Sequence, residues 1–278
     1  MLKITDSQYE LWSYIPLEYI RALHSGKSVP LLLRCLCQQN HQKDEIVVKL
    51  SGQVMSDDAK CRELLAAFIA NELGIHVAEP VLVYLGQDSL LIFQENNLKQ
   101  RARQAQGKNF GNKWAGDGYN EFVSGFSLHP DLVLKALHIF IFDVLIVNAD
   151  RRFEKQNLKT YQNDIVIFDH EAGFGFLFDI LPNPTPWLFT DHDKQWMCNH
   201  LFYQELKRNY AIFDLDTNID NFISVLVNIN PAFWTKAKSL VPAEWQQGHE
   251  QISKIEQHFA LVNSNHSQYS QALKQLFS

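Results

Sequence analysis

Apolar and polar positions sort the chain into short runs near its start and longer helical stretches later. Residues 29–37 and 44–50 are β-type runs separated by a polar loop at 38–43, while residues 1–28 are mixed, with a short helix or strand near 19–23. Ser56 followed by Asp57 and Asp58 marks a helix start, because a hydroxyl cap and acidic first-turn residues suit unpaired backbone N–H groups. The pattern continues through 61–69 and stops at Leu73-Gly74. Residues 80–85 and 89–93 read as a hairpin around Gly86-Gln87-Asp88, leaving Gln94-Glu95 as a polar crossing. Residues 97–120 are polar and glycine-bearing, a loop or weak helix.

Residues 131–147 follow Pro130 and are apolar on nearly all sides, which predicts a central helix of a larger helical unit. Asp143 inside this run reads as structural, bonding the backbone of the following loop. Residues 158–161 and 165–168 pair as a hairpin through the turn signal Asn163-Asp164, bringing Asn157 and Asp169 side by side. Residues 172–176 carry two glycines and read as a flexible substrate-side loop, and helices follow from 191, with 264–278 an amphipathic or partly loose tail. The predicted fold class is α+β, with a small β-rich N-lobe at 1–95 and a larger, mainly helical C-lobe at 96–278.

Composition narrows the picture. A chain of 278 residues with 46% hydrophobic content can bury one large core or two modest ones. The net charge of −6, with both signs mixed along the chain, disfavours nucleic-acid binding by a broad basic face. Cys35, Cys37, Cys61 and Cys198 show neither a disulfide framework nor a metal knuckle, so a reducing compartment is expected. The start of the chain lacks a basic region followed by an apolar core, so no signal peptide is expected. The most apolar stretch, 132–147, is broken by Lys135, His138 and Asp143, which argues for a buried helix and against a membrane span. A cytoplasmic location follows as the expectation.

The candidate chemistry lies after the central helix. Asp150-Arg151, then Asn157, then a β-rich segment ending in Asp169 together resemble the floor of an ATP-dependent phosphotransferase. Such a reaction requires alignment of a hydroxyl with the γ-phosphate and neutralisation of charge by magnesium. In that reading Asp150 accepts the hydroxyl proton, and Asn157 and Asp169 supply the hard oxygen donors that magnesium prefers. Lys49 on the second β-run would meet the α- and β-phosphates, with Glu63 on the following helix as its ion-pair partner. Gln94 and Glu95 mark where an adenine would meet backbone groups.

Asn148-Ala149-Asp150-Arg151, Asn157-Leu158 and Ile167-Phe168-Asp169-His170 resemble the catalytic core of the HipA-like kinases, and in outline that of phosphatidylinositol 4-kinase type II. Weaker matches extend along the chain: Tyr19 to Leu23 before Pro30, Val47-Val48-Lys49, Phe110-Gly111-Asn112-Lys113-Trp114 as an aromatic segment after the hinge, and Pro242-Ala243-Glu244-Trp245. The resemblance implies a bilobal protein kinase-like fold, ATP and Mg2+ as cofactors, and an unidentified protein as phosphate acceptor. It implies Asp150 as base, Asn157 and Asp169 as metal ligands, and Lys49 with Glu63 on the phosphates. Relatives often carry Asn-Pro-Asn where this chain has Lys155-Gln156-Asn157, and the loop at 38–43, expected over the nucleotide, contains no glycine.

That glycine-free loop favours the alternative of a pseudokinase or regulatory protein that holds nucleotide without turnover. A metal-dependent hydrolase using Asp169-His170-Glu171 and Asp191-His192-Asp193 is disfavoured, because adjacent strand residues face opposite ways.

Overall fold

Period-two burial builds the first strands. In β2 (Leu31–Cys37) the side chains of Leu31, Leu33, Cys35 and Cys37 are all buried, while Arg34 between them is exposed. The computed structural model describes residues 1–23, 29–51, 55–116, 118–122, 128–181 and 183–278. Before β2 comes β1 (Ser13–Ala22), and β3 (Lys43–Lys49) follows it. Then come α1 (Asp57–Glu72), β4 (Pro80–Leu85), a 3-10 turn at Asp88–Ile92, α2 (Asn96–Gln104) and β5 (Gly107–Lys113). The five strands close a barrel in the order β1-β2-β3-β5-β4, sealed by a short parallel contact of Ser13 and Tyr14 with Leu82 and Val83. Tyr14, Leu33, Cys35, Ile46, Val48, Val81 and Val83 belong to its core.

Three expectations change here. Residues 89–93 do not pair with β4: they form the 3-10 turn, in which Leu91 is exposed, and β5 pairs with β4 instead. The segment at 97–120, expected as a loop or weak helix, holds the helix α2 but also the strand β5, so the strand unit runs to Lys113, beyond residue 95. Within β2–β3, Leu31 pairs with Val48 and Leu36 with Lys43, so the turn at 38–42 lies at the barrel end away from Lys49. It cannot overhang a nucleotide held at Lys49. The β1–β2 connection is the one at the Lys49 end, and its residues 24–28 lie outside the described residues.

α1 is buried along nearly its whole length and starts and stops where the sequence predicts, with Gly74 at φ +79° ending it. The helical part begins with α3 (Pro130–Leu145) and continues through the hairpin β6 (Leu158–Tyr161) and β7 (Asp164–Ile167). A 3-10 turn at Gly175–Phe178 precedes α4 (Asp191–Cys198), α5 (Tyr203–Asn209), α6 (Leu215–Val225), α7 (Pro231–Leu240), α8 (Gln246–Ser264) and α9 (His266–Gln275). α3 belongs to the large core through residues such as Phe142, and Phe202, Phe233 and Trp245 belong to the same core. The tail is packed, with Tyr269, Leu273 and Phe277 buried and Tyr203 Oη donating to the Leu276 carbonyl at 2.7 Å. Trp245 of the Pro-x-x-Trp feature is buried, and its Nε1 donates to the Lys108 carbonyl at 3.2 Å, linking α8 to β5.

The hairpin also meets the segment after α1. Ile167 N donates to the His76 carbonyl at 3.0 Å and Ala78 N to the Ile167 carbonyl at 2.9 Å. Among the described residues no helix is long and apolar enough to cross a membrane.

Candidate functional site

Two separate pieces of chain bring the charged groups together. Lys49, the last residue of β3, and Glu63 in α1 form a buried ion pair. Lys49 Nζ also lies 2.6 Å from Asp169 Oδ1 and 3.4 Å from Glu171 Oε2. Burial alone would lower the Lys49 pKa, but Glu63, Asp169 and Glu171 around one ammonium raise it above the ordinary lysine value. The second Glu63 oxygen accepts from His170 N at 2.8 Å, so α1 and the strand end beyond β7 share one carboxylate.

The other piece is the loop after α3. Asp143, expected to bond the following backbone, instead uses its carboxylate on side chains: Arg151 Nε at 2.5 Å, Asn148 Nδ2 at 2.8 Å and His200 Nε2 at 3.1 Å. Burial opposes its ionisation, yet Arg151 and His200 hold its carboxyl well below the usual range. Arg151 further donates to the carbonyls of Gln156 (3.3 Å) and Asn157, and Asn148 Oδ1 accepts from Asp150 N at 3.3 Å. These bonds fix the path of the loop that carries Asp150.

β6 and β7 pair from Leu158–Ile167 to Tyr161–Asp164, a two-residue turn at Gln162-Asn163 with Gln162 at φ 50°. Asn157 and Asp169 emerge from the open end. Asn157 Nδ2 donates to Asp150 Oδ2 at 3.5 Å and to the Asp169 carbonyl at 3.4 Å. The structure therefore joins Lys49, Glu63, Asp150, Asn157 and Asp169 into one cluster. Val147, Asn157, Asp169 and Phe174 border it with φ between 50° and 60°, a left-handed conformation that is costly outside glycine and that concentrates at functional sites.

Gln94 and Glu95 are not part of the cluster. Both are exposed between the first 3-10 turn and α2, and no hydrogen bond or ion pair among the described residues ties them to it. The chain leaves the barrel for the helical part after Lys113, which makes Phe110 to Lys113 barrel strand and not a segment beyond a hinge. The pair Asp191 and Asp193 opens α4, where Thr190 and Asp193 form a reciprocal cap, and Asp191, His192 and Asp193 join no metal-ligand cluster among the described residues.

Lys155 has no role in the sequence reading, and Glu171 enters it only in the disfavoured hydrolase alternative. Lys155 Nζ is paired with Asp150 and lies 4.0 Å from Asp169 Oδ2. A cation placed between two acidic positions of one loop was the available signal. Within residues 172–176, Gly173 and Phe174 are buried and both glycines are closely surrounded: a Cβ on Gly173 would meet the His170 carbonyl at 3.0 Å, and one on Gly175 the Val147 carbonyl at 3.0 Å.

A cavity of about 400 Å3 opens beside Asp150, walled by Phe176, Asp179, His192, Asp193 and Trp196. A larger one of about 710 Å3, near Lys60, Lys108 and Glu244, shares no lining residue with the Asp150 cluster.

A model of the HipA-like kinase family matches residues 17–272. Among solved structures, the proinflammatory kinase CtkA of Helicobacter pylori is similar over 96% of this chain and 99% of its own, with a TM-score of 0.51 and 14% identity. At that identity the likeness concerns the fold, a mixed α+β arrangement with strands first and helices after. No curated protein matches the chain. With residues 17–272 spanned by the family model, this chain belongs to the HipA-like kinases.

Proposed function

We propose that the protein transfers the γ-phosphate of ATP, with magnesium, to a serine or threonine hydroxyl of a protein. The observation that carries this reading is the convergence of Asp150, Asn157 and Asp169 within hydrogen-bond reach beside the Lys49–Glu63 pair. The donor chemistry fits the ion: Asn157 and Asp169 offer hard oxygens, and carboxylate oxygens of Glu63, Asp169 and Glu171 lie within 4.8 Å of one another. Asn157 and Asp169 would hold magnesium, which when bound neutralises phosphate charge.

Lys49 contributes a fixed positive charge to the phosphates, and Glu63 aims it. Asp150 accepts the acceptor's proton as its oxygen bonds to the γ-phosphorus and the bond to the β-phosphate oxygen breaks, releasing ADP. Lys155, already on Asp150, exchanges that contact for the transferring group.

The alternative of nucleotide binding without turnover rested on the glycine-free loop at 38–43, and that turn lies at the barrel end away from Lys49. Purified protein with magnesium and labelled ATP should label a protein substrate or itself, and Asp150→Asn should abolish this with the fold intact. Magnesium-dependent ATP binding by calorimetry with no transfer to any acceptor would overturn the reading.

A further inference from the structure

The cavity lined by Asp150 offers an acceptor hydroxyl a way to that carboxylate, and its walls carry chemistry of their own. Phe176 stacks on His258, ring centroids 4.1 Å apart and 12° from parallel. Trp196 of α4 supplies a second aromatic wall. Asp193 is fixed by Thr190, whose N and Oγ1 donate to its Oδ2 at 2.8 and 2.7 Å. Asp179 is exposed, and no cation among the described residues pairs with it. Arg152 is the basic lining residue, and it lies 3.9 Å from Glu154. The cavity is thus acidic beyond the need of the reaction.

Its rim is apolar. Directly beyond Asp179, Ile180 and Leu181 are 97% and 82% exposed, and Phe178 before it is 63% exposed. The Arg62 guanidinium sits over the Phe178 ring at 5.0 Å, while Ile180 and Leu181 remain in solvent. Clustered exposed apolar side chains mark an interaction surface. A small metabolite filling about 400 Å3 would leave them unused, whereas a chain crossing the cavity mouth covers them.

We propose, on the basis of the phosphotransferase reading, that this cavity and its rim take a polypeptide segment whose phosphorylated hydroxyl has a lysine or arginine neighbour, recognised through Asp179. Asp193 adds to the same negative field, and Ile180 and Leu181 cover an apolar residue further along the segment.

The experiment is phosphorylation of a degenerate serine-centred peptide library, with basic, neutral or acidic neighbours, by the full chain with magnesium and ATP. Wild type should use basic neighbours over acidic ones by about tenfold in kcat/KM, attraction being replaced by repulsion. Asp179→Arg should reverse that order; because the readout is a ratio within one enzyme, partial loss of fold does not imitate it. Equal use of all peptides, an acidic preference in wild type, or a ratio unmoved by Asp179→Arg overturns the inference and leaves the kinase reading standing. Absence of any γ-phosphate transfer by wild type, to peptide, protein or water, overturns both.

Discussion

Arg151 Nε donates to Asp143 Oδ2 at 2.5 Å, with both side chains fully withdrawn from solvent. A buried ion pair of this kind adds little net stability over an apolar pair, but breaking it leaves a stranded charge. Arg151→Met should therefore cost about 3–5 kcal/mol in chemical denaturation. Phosphotransfer should fall with it, since the same guanidinium holds the Gln156 and Asn157 carbonyls. An unchanged denaturation midpoint would remove the pair from this role.

Lys49→Met should lower the phosphotransfer rate by about 10²–10³-fold, the size of losing one preorganised charge-stabilising donor. Glu63, Asp169 and Glu171 would then face one another without their shared ammonium. The thermal midpoint should drop in apo protein and recover in part with magnesium, measured by calorimetry with and without the ion.

Acid should weaken the fold before most carboxylates titrate. Burial pushes His258 from 6.5 to about 4, against a partial lift from its bond to the Leu145 carbonyl, and burial pushes His170 to about 3. Folded values below the unfolded one mean that the unfolded chain binds more protons in between. The stability these groups contribute is present above pH 6.5 and is lost as pH falls toward the folded values, each at about 1.4 kcal/mol per pH unit. His258→Gln should flatten the fall in denaturation midpoint between about pH 6.5 and 4 by one proton. An identical slope would refute a neutral buried His258.

Gly248→Ala tests the contact of α8 with α1. A Cβ there would sit 2.5 Å from the Cys61 Cβ and 3.2 Å from the Asp57 carbonyl, so one helix has to move. A loss of about 1–3 kcal/mol is expected, as for other overpacked sites. Because α1 carries Glu63, the rate should fall beyond what unfolding explains; a fully active, fully stable variant would contradict the packing.

Much of the site was legible because its local signals agree. Ser56, Leu73-Gly74 and the apolar run between them define α1, and β-type runs around a polar turn define the hairpin that aligns Asn157 with Asp169. β5 was illegible for a physical reason. Its sequence is polar and glycine-bearing because Asn109 is buried, accepting from Ser51 N at 2.8 Å and donating to the Ala105 carbonyl at 2.8 Å. Gly111 leaves room for Ile46 Cγ2, 2.9 Å from where a Cβ would stand. Residues 89–93 misled in the opposite sense, since an apolar run with Leu91 exposed has no sheet to join once β5 takes the edge of β4. The crossing at Gln94-Glu95 was misplaced with it.

The backbone bonds joining Ile167 to His76 and Ala78 have a mechanical consequence. They fasten the stretch leading from Glu63's helix into the barrel to the stretch leading into Asp169. With both ends of the active constellation sewn to one short span of backbone, any displacement of α1 relative to the hairpin would have to break these two hydrogen bonds or carry the span along with it.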